Sequence, residues 1–394
     1  NVPAAELRTG AFSSSLFENV AQVVISPGLS LQEPVVCAAR ERGFPVVGDI
    51  ELFAREAPAP IAAITGTNGK STVTTLVAEI ANAGGRRAVA GGNLGEPALD
   101  LLGHPTPDLY VLELSSFQLE TTYSLRTVAS TVLNVTPDHM DRYASLEAYG
   151  AAKARIFDGC DVAVINADDP AVRGMPRPGQ FVVSFSLESN DADYTLARSP
   201  APMIVRRGEP LLPLAAMRLQ GLHNAANAMA ALALAEALEL PLAPALDALC
   251  AFTGLPHRSQ WVADVGGVRY VNDSKGTNVG ATLAAVRGLA GPLVVIAGGD
   301  GKNQDFSELR QAFRGKVRHV VLIGRDAPAL AATLADVCAT ERASDMPAAV
   351  RAAQAVAQPG DTVLLSPACA SLDMFRDYTH RGDEFAAAVR SLAA

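Results

Sequence analysis

The sequence predicts an α/β chain made of three units in series, and three observations support this fold class. Short apolar runs typical of buried strands alternate with longer helical runs along most of the 394 residues. A strand, a glycine-containing loop and a helix follow one another at residues 60–82, in the order found in phosphate-binding loops. A Gly-Leu-Pro break at residues 254–256 separates two alternating stretches. We therefore expect three domains, at residues 1–48, 49–254 and 255–394.

Composition argues against two classes of partner. The chain is 49% hydrophobic and 19% charged, with a net charge of −9 and no basic run, so we expect no nucleic acid partner. No apolar stretch has the length of a membrane span, so we expect no membrane association. The cysteines have neither paired nor metal-ligand spacing, which is typical of the cytoplasm; they are Cys37, Cys160, Cys250, Cys338 and Cys369.

The first domain resembles half of an alternating α/β unit. A strand is expected at residues 21–25, a Ser-Pro-Gly turn at 26–28, a helix at 32–42 and a second strand at 45–47. The sequence starts at Asn1 rather than Met, and the strand that would open such a unit is not found. We therefore expect a truncated first domain.

The stretch at residues 60–75 has the composition of a phosphate cradle. An apolar strand leads into a glycine-containing loop, and Lys70 and Ser71 open the following helix. Backbone N–H groups of such a loop, with the positive end of the helix dipole, bind phosphate oxygens. We expect Lys70 to reach the terminal phosphates and the Ser71 hydroxyl to bind Mg²⁺. The general motif has another glycine where this chain has Ile64, and Gly66 supplies the backbone freedom instead.

The rest of the central domain predicts a mostly parallel sheet. Strands are expected at residues 109–114, 127–135, 161–166 and 181–185, with a long Ala/Leu helix at 222–240. Glu113 lies near the carboxyl end of the first of these strands. A carboxylate there can hold the Mg²⁺ that Ser71 also binds, and a surface Glu at a strand end is the alternative interpretation.

Three further candidates in the central domain each have an ordinary structural alternative. His139 follows a strand in a Pro-Asp-His-Met-Asp run, which suits metal or general-base chemistry but also an ordinary turn. Lys153 is predicted, from the residues alone, to be an exposed helix lysine. Asn224 and Asn227 are three residues apart and share a helix face, where they can read an adenine edge or cap the helix.

The third domain predicts a doubly wound sheet whose ligands lie beyond the carboxyl ends of the strands. Strands are expected at residues 268–271, 293–297, 319–323 and 362–365, and helices at 279–288, 306–313, 327–336, 346–357 and 383–392. Polar clusters follow three of these strands, at residues 272–275, 298–302 and 366–371. The basic pair His257-Arg258 at the domain junction either reaches phosphates in the cleft or is a linker charge.

Together these motifs resemble those of the Mur ligases over nearly the whole chain. The matching runs are Thr65–Thr72, Gly91–Gly95, Leu112–Glu120, Asn134–Tyr143, Gly221–Asn224, Gly254–Arg258, Asn272–Asn278, Gly298–Lys302 and Ser366–Asp373. The Lys70-Ser71 pair and the run at 366–373 are similar to the D-glutamate-adding member of the family. The Asp-Asn-Pro-Arg motif of the diaminopimelate-adding member is not found.

The resemblance implies a fold, an activity and a set of small-molecule partners. It implies a truncated Rossmann-like N-terminal domain, a central P-loop ATPase-like domain and a Rossmann-like C-terminal domain. The implied enzyme is a monomeric, ATP-dependent amide ligase of peptidoglycan synthesis that joins UDP-N-acetylmuramoyl-L-alanine to D-glutamate through an acyl phosphate. A carboxylate is a poor acyl donor, and phosphorylation gives it a good leaving group. Because the opening strand of the first domain is not found, we expect weakened UDP binding.

The resemblance also assigns roles to individual residues. It implies that two Mg²⁺ ions, or Mn²⁺, are held by Ser71, Glu113, His139 and a carbamylated Lys153. With Lys70, the last three form the implied catalytic group. The residues implied to bind ATP are Gly66, Thr67, Asn68, Gly69, Lys70, Ser71, Thr72, Asn224, Asn227, Arg258 and Asp273. Those implied to bind the two other substrates are Ser26, Gly28, Asn93, Ser115, His139, Lys275, Thr277, Lys302, Ser371, Leu372 and Tyr378. Tyr378 stands where a phenylalanine is expected in the family.

Two other classes of function stay open from the sequence. One is another Mur-type or folylpolyglutamate-type amide ligase, which would differ in the amino acid it uses. The other is a nucleotide-switched binding protein, in which hydrolysis only drives a conformational change. The polar clusters of the third domain argue against a switch, since a switch needs no second substrate cleft.

Overall fold

The computed structural model describes residues 9–12, 14–17, 20–219, 221–289 and 291–392. The first eight residues of the predicted first domain therefore lie outside the described residues. The N-terminal unit that is described has two parallel strands that flank one helix, and it buries a small core of its own around Ile25 and Val36. Its elements are β1 (Val23–Val24), α1 (Pro34–Glu41) and β2 (Val46–Val47).

The central unit is a nine-stranded sheet, and its mostly parallel order confirms the predicted fold class. Strand β3, which carries the phosphate loop, lies inside the sheet, with β5 and β4 on one side and β6 to β11 on the other. The elements are α2 (Asp49–Glu56), β3 (Ile61–Thr65), α3 (Lys70–Ala83), β4 (Ala88–Gly92), α4 (Ala98–Leu101), β5 (Leu109–Glu113), α5 (Ser116–Leu119), β6 (Thr127–Val132), α6 (Leu146–Ala154), β7 (Cys160–Asn166), α7 (Pro170–Arg173), β8 (Phe181–Ser186), β9 (Tyr194–Ala197), β10 (Met203–Arg206), β11 (Glu209–Pro213), α8 (Leu222–Ala237) and α9 (Leu242–Ala251).

Helices cover both faces of the central sheet. Helices α3, α8 and α9 bury one apolar face, and α2 with α4 to α7 bury the other. Every residue of β3 and of β5 is buried as a result. Strands enclosed on both faces read as continuous apolar runs, which is why these two were predicted correctly from sequence.

The central unit differs from the prediction at the end of β6, at the end of α8 and in strands β4 and β9 to β11. Strand β6 ends at Val132 instead of residue 135, because the next residues turn to hydrogen-bond the phosphate loop: the Leu133 amide donates to the Thr65 carbonyl. Helix α8 ends at Ala237, and Glu239 follows with a φ of +55°. Strands β4 and β9 to β11 were not predicted. The turn between β10 and β11 uses positive φ values at residues 207 and 208, as hairpin turns require.

The C-terminal unit is a six-stranded sheet in the order β12-β13-β17-β14-β15-β16, parallel except for the edge strand β12. Helices α10 to α12 pack on one face and α13 and α14 on the other, as a doubly wound fold requires. Helix α14 begins five residues earlier than predicted. The elements are β12 (Gln260–Val265), β13 (Val268–Asn272), α10 (Val279–Gly288), β14 (Leu293–Gly298), α11 (Ser307–Phe313), β15 (Val317–Ile323), α12 (Ala327–Leu334), β16 (Ala339–Arg342), α13 (Met346–Val356), β17 (Thr362–Leu365) and α14 (Tyr378–Leu392).

Within the described part of the chain, every helix is too short or too polar to span a bilayer.

Candidate active site

The phosphate loop lies between β3 and α3, and two glycines shape it. Gly66 and Gly69 have φ values of +149° and +85°, which side chains rarely permit. A Cβ on Gly66 would lie 3.0 Å from the Leu133 Cβ, and one on Gly69 would lie 2.5 Å from the Asn227 Oδ1. The loop can therefore pass close to both neighbours only with glycine at these two positions.

The loop is braced by the segment that follows β6. The Asn68 amide donates to the Asn134 Oδ1 at 2.8 Å, and the Asn134 Nδ2 donates back to the Asn68 carbonyl at 3.1 Å. The Thr67 hydroxyl donates to the Thr136 carbonyl at 3.1 Å. The amides in the first turn of α3 have no acceptor within their own helix. They form a preorganised place for an anion, together with the positive end of the helix dipole.

Two lysines converge on one carbonyl of the loop. The Lys70 Nζ donates to the Gly66 and Thr67 carbonyls, each at 2.9 Å, and the Lys153 Nζ donates to the same Gly66 oxygen at 3.0 Å. Burial lowers the pKa of Lys70, opposed by the nearby Glu113 carboxylate. Burial first, and then the charge of Lys70, lower the pKa of Lys153 well below its ordinary value.

The exposed lysine predicted at 153 from the residues alone is therefore wrong. Lys153 is 1% exposed, and its Nζ lies 4.4 Å from the centre of the Tyr149 ring. The reason is tertiary: the face of α6 that carries Lys153 packs beneath the phosphate loop.

Ser71 and Glu113, which the sequence predicts to share a Mg²⁺, lie in direct contact. Glu113 is 2% exposed at the end of β5, and its carboxylate accepts hydrogen bonds from the Ser71 hydroxyl and, at 2.7 Å, from the Asn93 Nδ2. The Arg258 Nη2 donates to the Ser71 Oγ at 2.6 Å from the C-terminal unit. A carboxylate and a hydroxyl beside a phosphate loop form the donor set that Mg²⁺ uses when nucleotide phosphates supply further ligands.

His139 lies in the turn after β6, with a φ of +56°. Its ring packs edge-on against Phe117 with centroids 4.9 Å apart, and burial lowers its pKa, opposed chiefly by the Asp138 carboxylate. Among the described residues, no three His, Cys, Asp or Glu side chains converge as a ready metal cage. The protein groups present therefore suit a cation that shares its coordination with a bound nucleotide.

The central and C-terminal units meet at this turn. The Asn278 Nδ2 donates to the Asp138 Oδ2 at 3.0 Å, while the Asn278 Oδ1 caps helix α10. A Cβ on Gly280 would lie 2.9 Å from the Thr136 hydroxyl oxygen. Helix α10 therefore rests directly on the segment that braces the phosphate loop.

The C-terminal unit contributes a buried acid and a partly buried lysine. The Asp273 carboxylate accepts hydrogen bonds from the Ser366 hydroxyl at 2.8 Å and from the Ser259 amide at 3.0 Å, and burial raises its pKa to about 6. The Lys275 Nζ lies 3.9 Å from the centre of the Tyr378 ring, and burial lowers the pKa of Lys275 to about 8. Both groups lie beyond the carboxyl end of β13, as the sequence predicted.

A single cavity of about 630 Å³ joins these features. The predicted site residues that line it are Asn68, Gly69, Thr72, His139, Asn224, Asn227, Arg258, Asp273, Lys275 and Lys302. They come from both larger units, so the cavity lies at the domain junction. Ser71 is joined to this wall by its hydrogen bond with Arg258, and Glu113 is joined through Ser71. Lys70 and Lys153 share the Gly66 carbonyl, in the same loop as the lining residues Asn68 and Gly69.

The remaining predicted residues lie outside the lining of this cavity. In the turn after β1, the Gly28 amide donates to the Ser26 hydroxyl at 3.4 Å. Ser115 caps α5, and the Thr277 amide donates to the Lys275 carbonyl just before α10. In the loop after β17, Ser371 is 4% exposed and Leu372 is 73% exposed. A bridge between Asp300 and Ala370 places this loop beside the loop that carries Lys302.

Two supporting residues were not assigned from sequence. Asp138 was seen only as part of a polar run, and its partner Asn278 is 140 positions away. Arg381 is fully buried, and its guanidinium donates to the Cys369 carbonyl at 3.1 Å and to the Ser274 carbonyl at 2.7 Å. It thereby ties two polar loops of the C-terminal unit together. The early start of α14, which the sequence did not predict, is what places Arg381 on that helix.

Three family models match the chain. They are described as the Mur ligase middle domain, at residues 64–235, the Mur ligase glutamate ligase domain, at residues 257–369, and the Mur ligase MurD-like N-terminal domain, at residues 2–48.

Relatives of high identity carry one name. The UDP-N-acetylmuramoylalanine–D-glutamate ligase of Nitrosococcus oceani is 54% identical over 394 residues, which cover 99% of this chain and 87% of the relative. The enzyme of the same name from Methylococcus capsulatus is 52% identical, covering 99% of this chain and 85% of the relative.

Solved structures of lower identity share the fold. The MurF ligase of Thermotoga maritima in complex with ADP superposes with a TM-score of 0.68 at 14% identity, covering 97% of each chain. The UDP-N-acetylmuramate-alanine ligase MurC of the same organism has a TM-score of 0.64 at 21% identity, covering 96% of this chain and 87% of that one.

Proposed function

The chain belongs to the Mur ligase family, and we propose that it is the ATP-dependent ligase that adds D-glutamate to UDP-N-acetylmuramoyl-L-alanine in peptidoglycan synthesis. Relatives about half identical over almost the whole chain are named for this reaction. The observation that carries the proposal is the shared cavity, in which a phosphate loop faces the polar strand ends of a second sheet. Such a cavity can hold a nucleotide and an amino acid side by side.

The reaction proceeds in two steps. An oxygen of the muramoyl-alanine carboxylate attacks the γ-phosphorus of ATP, the bond to the β-phosphate oxygen breaks, and ADP leaves. The neutral amine of D-glutamate then attacks the carbonyl carbon of the acyl phosphate and forms a tetrahedral intermediate. The intermediate collapses as the nitrogen loses a proton and inorganic phosphate leaves, which gives the amide. The protein must mainly position the reactants and neutralise charge.

The phosphate loop performs the first part of this work. The first-turn amides of α3 and the Lys70 ammonium would bind the phosphates, and Lys70 need only exchange its present carbonyl partners for phosphate oxygens. Arg258 already reaches the Ser71 hydroxyl from the C-terminal unit, so its guanidinium can reach the same phosphates. Asn224 and Asn227 line the cavity near Gly69, where they would contact the rest of the nucleotide.

Ser71 and Glu113 would hold one Mg²⁺, and His139 with a carbamylated Lys153 would hold a second. These ions would neutralise the phosphate charge that develops during transfer. The support for the carbamate is the environment of Lys153. Carbamylation needs a neutral amine, and burial beside the charge of Lys70 favours that form. A carbamate would place a negative charge beside the Lys70 ammonium, where an ammonium on Lys153 would instead repel it.

The other substrates would occupy the two ends of the site. D-Glutamate would lie among Lys275, Lys302 and the loop that carries Ser371, since lysines suit a ligand with two carboxylates. The hydroxyl-bearing Thr277 and Tyr378, together with the apolar Leu372, would complete that end. The muramoyl-alanine part would lie near Asn93, Ser115 and His139. Its UDP part would extend toward the turn that contains Ser26 and Gly28.

We also propose that the enzyme acts as a monomer in the cytoplasm, without nucleic acid or membrane partners. The five cysteines are all free thiols, which supports a reducing compartment. The net charge of −9 disfavours binding to polyanions.

An amino acid panel tests the proposal. Phosphate release from ATP is measured with UDP-N-acetylmuramoyl-L-alanine and each of D-glutamate, L-glutamate, L-alanine and meso-diaminopimelate. We expect release with D-glutamate and not with the other three. Release that favours L-alanine or diaminopimelate would indicate another Mur-type ligase, and use of L-glutamate with a folate acceptor would indicate the folylpolyglutamate type. Release that needs no amino acid would instead indicate a nucleotide switch.

A further inference from the structure

Arg142 connects the N-terminal unit to the turn that carries His139. Its Nη1 donates to the Pro27 carbonyl at 3.0 Å and to the Gly28 carbonyl at 3.5 Å, and its Nη2 donates to the Leu29 carbonyl at 3.1 Å. One guanidinium therefore engages three successive carbonyls of the turn after β1, from a position more than 110 residues away in sequence.

The same guanidinium is held from the central unit. The Arg142 Nη2 also donates to the Glu120 carboxylate at 3.2 Å, and the Arg142 side chain is 14% exposed. Its Cζ lies 4.2 Å from the centre of the Phe117 ring, within cation–π range. Both contacts belong to the stretch around helix α5, so Arg142 is fixed between two units rather than lying loosely on one.

Phe117 extends this contact to the candidate active site. The ring that stacks on Arg142 also packs edge-on against the His139 ring, and the Arg142 amide donates to the His139 carbonyl at 2.9 Å. The His139 backbone has a φ of +56°, a conformation that its neighbours must maintain. The Arg142 side chain therefore contacts Phe117, which packs against the His139 ring, and the Arg142 backbone holds the His139 carbonyl directly.

We propose that Arg142 is a positioning residue that sets the register between the 26–29 turn of the N-terminal unit and His139. This inference rests on the proposed function, in which those two places meet opposite ends of one long substrate. A reacting carboxylate must be placed to within a fraction of an ångström. Binding of the UDP end of the substrate can help to place the carboxylate only if the N-terminal unit is held at a fixed distance from His139. The hydrogen bonds of the Arg142 guanidinium hold the two units at that distance.

The geometry favours arginine over lysine at this position. The guanidinium is planar and presents its donors in a fixed fork, so it can serve three carbonyls, a carboxylate and an aromatic face at once. A lysine ammonium keeps the charge but is a single point with three donors. A lysine at this position could make only some of these contacts, and it could not stack a planar group on Phe117.

The test compares Arg142→Lys and Arg142→Ala with a matched arginine variant, Arg155→Lys. Arg155 donates to the Leu119 and Thr122 carbonyls, at 2.8 and 2.7 Å, but both lie within the central unit. KM is measured separately for UDP-N-acetylmuramoyl-L-alanine, ATP and D-glutamate, with the other two saturating. Wild-type turnover with D-glutamate in the same assay tests the proposed function independently, since its absence would refute that function whatever the variants do.

We expect both Arg142 variants to raise KM for the UDP substrate about 10-fold or more, the size of a lost charge-assisted contact. KM for ATP and for D-glutamate should stay within about twofold of wild type, and Arg155→Lys should change none of the three selectively. If Arg142→Ala does not fold, Arg142→Lys and Glu120→Gln carry the comparison. Equal increases in all three KM values, an unchanged KM for the UDP substrate, or full function of Arg142→Lys would each overturn the proposal.

Discussion

The environment of Lys153 makes a sharp prediction about charge. The Lys70 and Lys153 amines both lie within 3.0 Å of the Gly66 oxygen, so they are no more than about 6 Å apart. Two ammonium groups at that distance repel by about 3 kcal/mol at an effective dielectric constant of about 20. A carbamate on Lys153 would change this repulsion into an attraction of similar size. The ammonium and carbamate forms of Lys153 would therefore have opposite electrostatic effects on the phosphate loop.

The perturbation is Lys153→Ala, with Lys153→Met as its matched control. Because the anionic oxygens would be lost, we expect Lys153→Ala to lower kcat by about 100-fold or more, which is what about 3 kcal/mol of lost stabilisation amounts to. Alanine leaves a cavity where the side chain stood, and formate or acetate can enter it and restore part of the activity. Methionine fills the cavity, so the same anions should not rescue Lys153→Met.

Two measurements check the reasoning. Phosphate release is followed with and without added formate or acetate for both variants, and the wild-type protein is labelled with ¹³C-bicarbonate to detect a carbamate carbon by NMR. The carbamate signal should be absent from both variants. Near-wild-type turnover of Lys153→Ala, or equal rescue of the Ala and Met variants, would refute the argument.

Three further predictions concern other parts of the site. Lys70→Ala should lower kcat at least about 100-fold at saturating ATP, because it removes a preorganised charge from the phosphates, while circular dichroism stays unchanged; near-wild-type turnover would count against the phosphate-loop assignment. Lys302→Ala and Ser371→Ala should each raise KM for D-glutamate about 10- to 100-fold without changing KM for ATP, and the reverse pattern would contradict the division of roles. Burial raises the pKa of Asp273 from 3.8 to about 6, so the folded state favours the protonated acid. The free energy of unfolding is therefore unaffected by Asp273 at low pH, and it falls by about 3 kcal/mol as the pH rises from about 4 to about 6. Between about pH 4 and pH 7, the melting temperature of Asp273→Asn should therefore rise relative to that of wild type as the pH increases. Melting temperatures of the two proteins that change in parallel with pH would contradict the assignment.

Much of the fold could be predicted because its signals are local. The strand, loop and helix at residues 60–82 depend on neighbours in sequence, and α10 and β17 have the bounds that the sequence predicted. The predicted polar clusters lie at strand ends because the alternation of strands and helices already places them there. The four edge strands β4, β11, β12 and β16 were missed, since strands that are exposed in part lack a continuous apolar run. The short inner strands β9 and β10 were missed as well.

The site depended on contacts that sequence spacing does not reveal. Lys153 meets the Gly66 carbonyl across 87 positions, and Arg142 meets Pro27 across 115. Neither residue has a local pattern that distinguishes it from an exposed basic side chain. The resemblance to a known family implied a role for Lys153, but it gave no reason for the burial.

The sequence by itself determined the chemical groups of the candidate site and the loops that carry them. The tertiary structure decided which of those groups are buried together. The physical reason is that hydrogen bonds within a turn or a helix depend on residues a few positions apart. The protonation of Lys153 and the register held by Arg142 instead depend on the packing of distant segments, which excludes water and brings charges within a few ångströms of each other.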